Sequence, residues 1–101
     1  MNAYGFGEVL NSPKLNHTKD GMPVMTLNVL FDNSVKMGLS LYGEAAEIAN
    51  NQIDKGMQVF FDGELREEKW MKDDEVIREV KMKVKYFRIT NSNRPVKYFE
   101  G

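Results

Sequence analysis

The sequence predicts an all-β domain: five strands closed into a small Greek-key barrel, with one α-helix between the third and fourth strands. Three observations predict it. Short runs along the chain alternate apolar and polar side chains, as half-buried strands do. One segment, Glu44 to Asp54, carries apolar residues at helical spacing and falls after the third such run. The first run opens Tyr4-Gly5-Phe6-Gly7, and glycines inside a strand mark a bulge or a tight barrel corner.

The first strand is expected over residues 4–10, from Tyr4 through Val9 and Leu10, bending sharply at its glycines. Asn11 to Gly21 reads as a loop, with Pro13 near its start and Asp20-Gly21 as a turn signal near its end. Val24 to Phe31 is the second strand, with Met25, Leu27, Val29 and Phe31 on the core face. Asp32-Asn33-Ser34 makes a short turn into a third strand, Val35 to Tyr42. Its apolar face is Val35, Met37, Leu39 and Leu41; Lys36, Gly38, Ser40 and Tyr42 fall on the other. Tyr42 therefore lies on a polar face beside Lys36.

In the helix, Ala45, Ile48, Ala49 and Ile53 should pack onto a sheet. Glu44 and Glu47 suit its N-terminal end through the helix dipole, and Lys55-Gly56 is expected to stop it. Gln58 to Leu65 is the fourth strand, in which either Phe60 or Phe61 faces the core. Lys72-Asp73-Asp74-Glu75 is a charged hairpin tip leading into a long fifth strand. There Val80, Met82 and Val84 alternate with Lys81, Lys83 and Lys85, but Phe87 and Ile89 carry the parity of the lysines. A bulge near Lys85-Tyr86 would account for that slip. From Thr90 onward, Asn91-Ser92-Asn93-Arg94-Pro95 signals departure from the sheet, so residues 1–90 form the domain and 91–101 a short C-terminal extension. Five strands with a helix after the third is the order of the oligonucleotide/oligosaccharide-binding (OB) fold.

A chain of 101 residues holds one core. No window approaches the ~18 apolar residues of a membrane span, and the N-terminal residues lack the basic and apolar regions of a signal peptide. Without cysteine there is neither disulfide nor thiolate metal site, and a cytoplasmic location is the default expectation. The Asn16-His17-Thr18 sequon is then a chance match. His17 stands alone in a loop, and Asp73-Asp74-Glu75 reads as solvated hairpin-tip carboxylates rather than a cation site. No phosphate-cradling glycine loop ends in Lys-Ser or Lys-Thr. No enzyme, cofactor or metal is expected.

The formal net charge of −1 argues against bulk electrostatic capture of a polyanion. Its distribution is uneven. Residues 1–65 carry four Lys/Arg against eight Asp/Glu, and residues 66–101 carry ten against seven. That permits a basic strip on an acidic protein, or simply a solvated charged hairpin. The single tryptophan, Trp70, sits between two strand-like runs with Arg66 and Lys69 close by. An aromatic beside cations on a sheet suits stacking of unpaired bases with contacts to their phosphates. The alternative at this point is an indole capping a small core.

From Leu41-Tyr42-Gly43-Glu44-Ala45-Ala46-Glu47 through Lys55-Gly56-Met57-Gln58-Val59-Phe60-Phe61-Asp62-Gly63-Glu64-Leu65-Arg66 to Lys69-Trp70, the sequence resembles bacterial single-stranded DNA-binding protein. About thirty positions run without a gap, and Gly7, Pro13 and Gly21 extend the likeness more loosely, to roughly residues 3–90. The resemblance implies base-stacking roles for Tyr42 and Trp70 and a strand aromatic near the DNA path at Phe60. It matches Lys55, Arg66 and Lys69 to basic positions. Lys36 stands where members carry another tryptophan, Asn16-His17 replaces an Arg-Tyr pair, and Glu68 replaces a cation. The loop between the second and third strands is short, and the flexible acidic-tipped tail that recruits replication enzymes is not seen before Gly101. Weaker binding or a shorter site than a typical member's is the expectation.

The leading reading is non-enzymatic binding of single-stranded DNA with little sequence preference, in replication, recombination or repair. Lys81, Lys83 and Lys85 join Arg66 and Lys69 as phosphate candidates, and Lys36 and Lys55 complete the DNA-binding set. If three or four cations act, log affinity should fall with log salt at a slope near −2 to −3. The resemblance also implies a homodimer or homotetramer and replication proteins as partners. A protein-assembly module on the same barrel, akin to primosomal accessory proteins, is the second reading, and RNA binding the third.

Overall fold

The computed structural model describes residues 1–32, 34–89 and 98–100, the last three by their backbone. In chain order the elements are β1 (Asn2–Val9), β2 (Leu15–His17), β3 (Pro23–Phe31), β4 (Val35–Tyr42), α1 (Glu44–Gln52), β5 (Gln58–Lys72), β6 (Glu75–Ile89) and β7 (Tyr98–Glu100). Antiparallel pairs join β3 to β4, β1 to β5 and β5 to β6. Two further contacts close the circuit: β4 runs parallel to β6 over Gly38–Ser40, and the end of β1 pairs with the end of β3. The ring β1-β5-β6-β4-β3 is the five-stranded barrel the sequence predicts, with its helix between the third and fourth strands of that ring in chain order.

Closure sets the glycines. At Gly7, where β1 turns from β5 toward β3, a Cβ would collide with Val29 Cγ1. At Gly63 it would strike the carbonyl of Lys83. Opposite Gly63 the register slips: Asp62 faces Tyr86 and Gly63 faces Val84, leaving Lys85 as the extra residue on β6. This is the predicted bulge, and it returns Phe87 and Ile89 to the interior with Met82 and Val84.

The core holds Val9, Met25, Leu27, Val29, Leu39, Leu41, Val59, Phe61, Phe87 and Ile53, all essentially inaccessible. Phe61 is thus the inward member of the phenylalanine pair, and Phe60 lies outside. α1 presses Ala45, Ala46 and Ala49 onto this core. It ends at Gln52, earlier than the expected Asp54, because Ile53 swings to an extended conformation and buries its side chain. Gly56, at φ 89, does not end the helix; it turns the chain so that its N–H reaches Val9 O at 2.7 Å.

Other expectations are corrected. The first loop contains β2, which pairs with β3 through Leu15–Met25, on the edge that β1 uses further along. Between the two, the Asn11 side chain accepts from Asn28 N–H at 2.7 Å, filling the gap in the ladder. β5 does not stop at Leu65 but runs to Lys72, so Trp70 lies inside a strand rather than between two. Beyond Leu65, β5 and β6 project as a two-stranded arm with both faces in solvent. Val80, expected in the core, is therefore 46% exposed, and Val35 is 50% exposed at the start of β4. Phe31 and Met37 are only partly buried. Asn33 of the predicted turn, and the boundary proposed between residues 90 and 91, lie outside the described residues. β7 pairs with β6 through Tyr86–Glu100 and Arg88–Tyr98.

Candidate nucleic-acid interface

Strand parity places most of the candidate residues on the outer face of the barrel. On β4, Lys36, Gly38, Ser40 and Tyr42 point away from the core face that carries Leu39 and Leu41. The parallel register sets Gly38 against Lys81 and Ser40 against Lys83, and β5 continues the rows with Arg66 and Glu64. Tyr42 is 42% exposed, and Lys83 Nζ lies 5.6 Å from the centre of its ring. That arrangement leaves a phenol face beside a cation, as stacking on a base with contact to its phosphate requires.

Trp70 shares this face of the β5–β6 ladder but lies out on the arm, opposite Ile77, and is 41% exposed. From Lys83 to Ile77 is about 20 Å along β6 at strand spacing. Tyr42 and Trp70 thus mark two ends of one strip, with Arg66 and Lys81 between them. The structure does not bring Lys69 to this strip: it has the opposite parity and faces Arg78 across the arm. Lys55 sits in the turn between α1 and β5, at the other end of β5 from Trp70. Lys85 is the bulge residue beside Glu64.

Phe60 belongs to a different cluster. Its ring lies 6.0 Å from Tyr4, 5.1 Å from Phe6 and 6.0 Å from Tyr86, with the Arg88 guanidinium 5.8 Å from its centre. Tyr4 and Phe6 are strongly exposed. The sequence reading did not single out Tyr4, Phe6, Tyr86 or Arg88. Alternation with the buried or strand-pairing glycines of β1 was the signal for the first two, since Gly5 and Gly7 hold the opposite parity.

Four of the candidate cations are matched by carboxylates. Arg66 Nε donates to Glu64 Oε1 at 3.2 Å, and Lys85 approaches Glu64 Oε2 at 3.6 Å. Lys81 pairs with Glu68 at 3.2 Å and Lys69 with Glu67 at 3.8 Å. The Arg66 hydrogen bond, then the Arg66 and Lys85 charges, hold the Glu64 carboxyl below the usual carboxylate range. Among the described residues, Lys36, Lys83 and Arg78 have no carboxylate within 4.0 Å. No group of three or more His, Cys, Asp or Glu among them is placed to hold a metal ion, and no helix is long and apolar enough to cross a membrane.

A closed five-stranded barrel with exposed aromatics and cations on its outer strands defines an OB-type binding domain. The sequence matches the single-strand binding protein family over residues 5–90. The chain belongs to that family, whose members are non-enzymatic DNA-binding proteins. No curated protein matches it significantly. Among solved structures, it is similar to the SSB domain of a protein from Synechococcus sp., at 18% identity and a TM-score of 0.68, covering 82% of this chain and 88% of that one. It is also similar to the single-stranded DNA binding protein of Thermus aquaticus, at 22% identity and a TM-score of 0.73. That likeness covers 95% of this chain and spans about half, 52%, of the Thermus chain.

Proposed function

We propose that the protein binds single-stranded DNA with little sequence preference, by stacking bases on Tyr42 and Trp70 and contacting phosphates through Lys36, Lys81, Lys83 and Arg66. The exposed Tyr42 ring beside Lys83, on a barrel of the single-strand binding family, carries this reading. Lys69, Lys85 and Lys55 contribute at the margins of the path, and Phe60 supports it from the neighbouring aromatic cluster. The work is done in replication, recombination or repair in the cytoplasm, by a homodimer or homotetramer that meets replication proteins.

Titration of Trp70 fluorescence with oligo-dT tests this. Quenching is expected at low salt, weakening as salt rises. Stacking contributes on the order of 1–3 kcal/mol per base, so Trp70→Ala should lower affinity by roughly 5- to 150-fold. An unchanged affinity in that variant, read by anisotropy of a labelled oligo-dT, takes Trp70 out of the site. Oligo-U of equal length, run in parallel, separates DNA from RNA preference.

One observation favours a second reading, that of a protein-assembly module. Four of the candidate cations already face carboxylates, while Tyr4, Phe6 and Phe60 form an apolar patch outside the barrel. Absence of any quench at low salt would select it.

A further inference from the structure

We infer that Lys36 and Arg78 hold one phosphate-bearing unit of the strand in a groove at the base of the arm, which adds Arg78 to the phosphate contacts proposed above. The inference rests on the single-stranded DNA reading above and names where that site draws its electrostatic attraction.

The groove lies between the start of β4 and the inner face of the arm, with a volume of about 440 Å³. This is within the ~300–1,000 Å³ typical of small-ligand sites. Val35, Met37 and Val80 supply its apolar wall, and Lys36, Arg78 and Glu79 its polar lining. Val35 and Val80 have core-facing parity, and the structure leaves both about half exposed. A flat heterocycle against this wall would cover them, while the two cations reach the adjoining phosphates.

The ion-pair pattern points to the same place. A phosphate meeting Arg66, Lys69, Lys81 or Lys85 approaches a carboxylate as well, so the local charge it neutralises is close to zero. Net release of counterions there is small, and that release drives the salt-dependent part of binding. Lys36 and Arg78, like Lys83 on the strip, have no such partner among the described residues. Lys36 is on the outer face of β4 with Tyr42, while Arg78 has the opposite parity, that of Val80, so the groove borders the strip at the edge where β4 and β6 diverge.

The test uses the whole chain, with a fluorescein-labelled oligo-dT read by anisotropy between 20 and 200 mM salt (assay conditions on the order of those where single-strand binding is salt-limited). Arg78→Gln and Lys36→Gln should each reduce the magnitude of the log–log salt slope by about 0.7 and lower affinity roughly five- to tenfold near 50 mM salt. Lys19→Gln removes the same charge from an exposed loop and should leave the slope at the wild-type value. Glu79→Gln, which takes a carboxylate out of the groove, should tighten binding. All four positions are exposed, and thermal melting checks that each variant folds. Wild-type binding with Arg78→Gln and Lys36→Gln no different from Lys19→Gln overturns the subsite and leaves the function standing. A changed native mass in those two variants, with DNA affinity intact, overturns it in favour of a protein contact. No binding by the wild-type chain overturns both.

Discussion

Tyr42 and Trp70 are exposed to nearly the same degree but differ in what surrounds them. Tyr42 has Lys83 over its ring; Trp70 stands on the arm, with Ile77 across the ladder. Glu64 matters as much as either, because it occupies Arg66 and Lys85 together. Glu64→Gln should free both cations, strengthen oligo-dT binding and steepen the salt slope by about 0.7 to 1.4, measured by anisotropy across a salt series. Acid should not reproduce this near neutrality. The folded carboxyl titrates below the usual range because Arg66 and Lys85 stabilise its charged form. Its contribution to stability is present above the ordinary range of a free Glu carboxyl and is lost as pH falls through the lower folded value. Binding should therefore show no Glu64-dependent change between about pH 6 and 8.

The element that most departs from a minimal barrel is the β5–β6 arm. Each strand has fifteen residues, and Lys72 pairs with Glu75 around a two-residue turn. Asp73 and Asp74 both have positive φ, 50° and 67°, as a type I′ turn demands. That region costs an L-residue roughly 1–2 kcal/mol, and glycine escapes most of it. Asp74→Gly should raise stability by about 1 kcal/mol, which for a domain of this size moves Tm up by roughly 4–8 °C in a calorimetric scan. A lower Tm would mean that the aspartate side chain does something at the tip that the φ values alone do not reveal. Because the arm carries Trp70, the same variant also reports whether relieving strain at the tip alters the quench by oligo-dT.

At the scale of the molecule, closure of the ring confines the core to one face of each strand and leaves Tyr4, Phe6 and Phe60 outside it. Tyr4, at 76% exposure, and Phe6, at 47%, lie around Phe60 on the outer side of β1 and β5. That patch is where the proposed contact between copies would fall. Native mass measurement at micromolar concentration should give the proposed dimer or tetramer, and Tyr4→Glu with Phe6→Glu should shift it toward the monomer. A wild-type monomer would remove oligomerisation from the proposed function while leaving the DNA strip untouched.

The barrel itself was legible from residue order. Alternation over Val24–Phe31 and Val35–Tyr42, the single helical stretch and the parity slip at Lys85 each reflect burial of one face, and burial writes itself into side-chain type. The outward placement of Tyr42 followed from the same rule. Three things escaped it. Past Leu65 both faces of the ladder meet solvent, so the alternation disappears while the backbone pairing continues, and Trp70 could not be assigned to a strand. The choice between Phe60 and Phe61 needed the register with β1, because either is apolar enough for the core. The ion pairs Glu68–Lys81 and Glu64–Lys85, and the groove between Lys36 and Arg78, join residues distant along the chain. Local periodicity reports which side of an element is dry; which charges end up neighbours depends on the pairing of strands and is decided only when the ring closes.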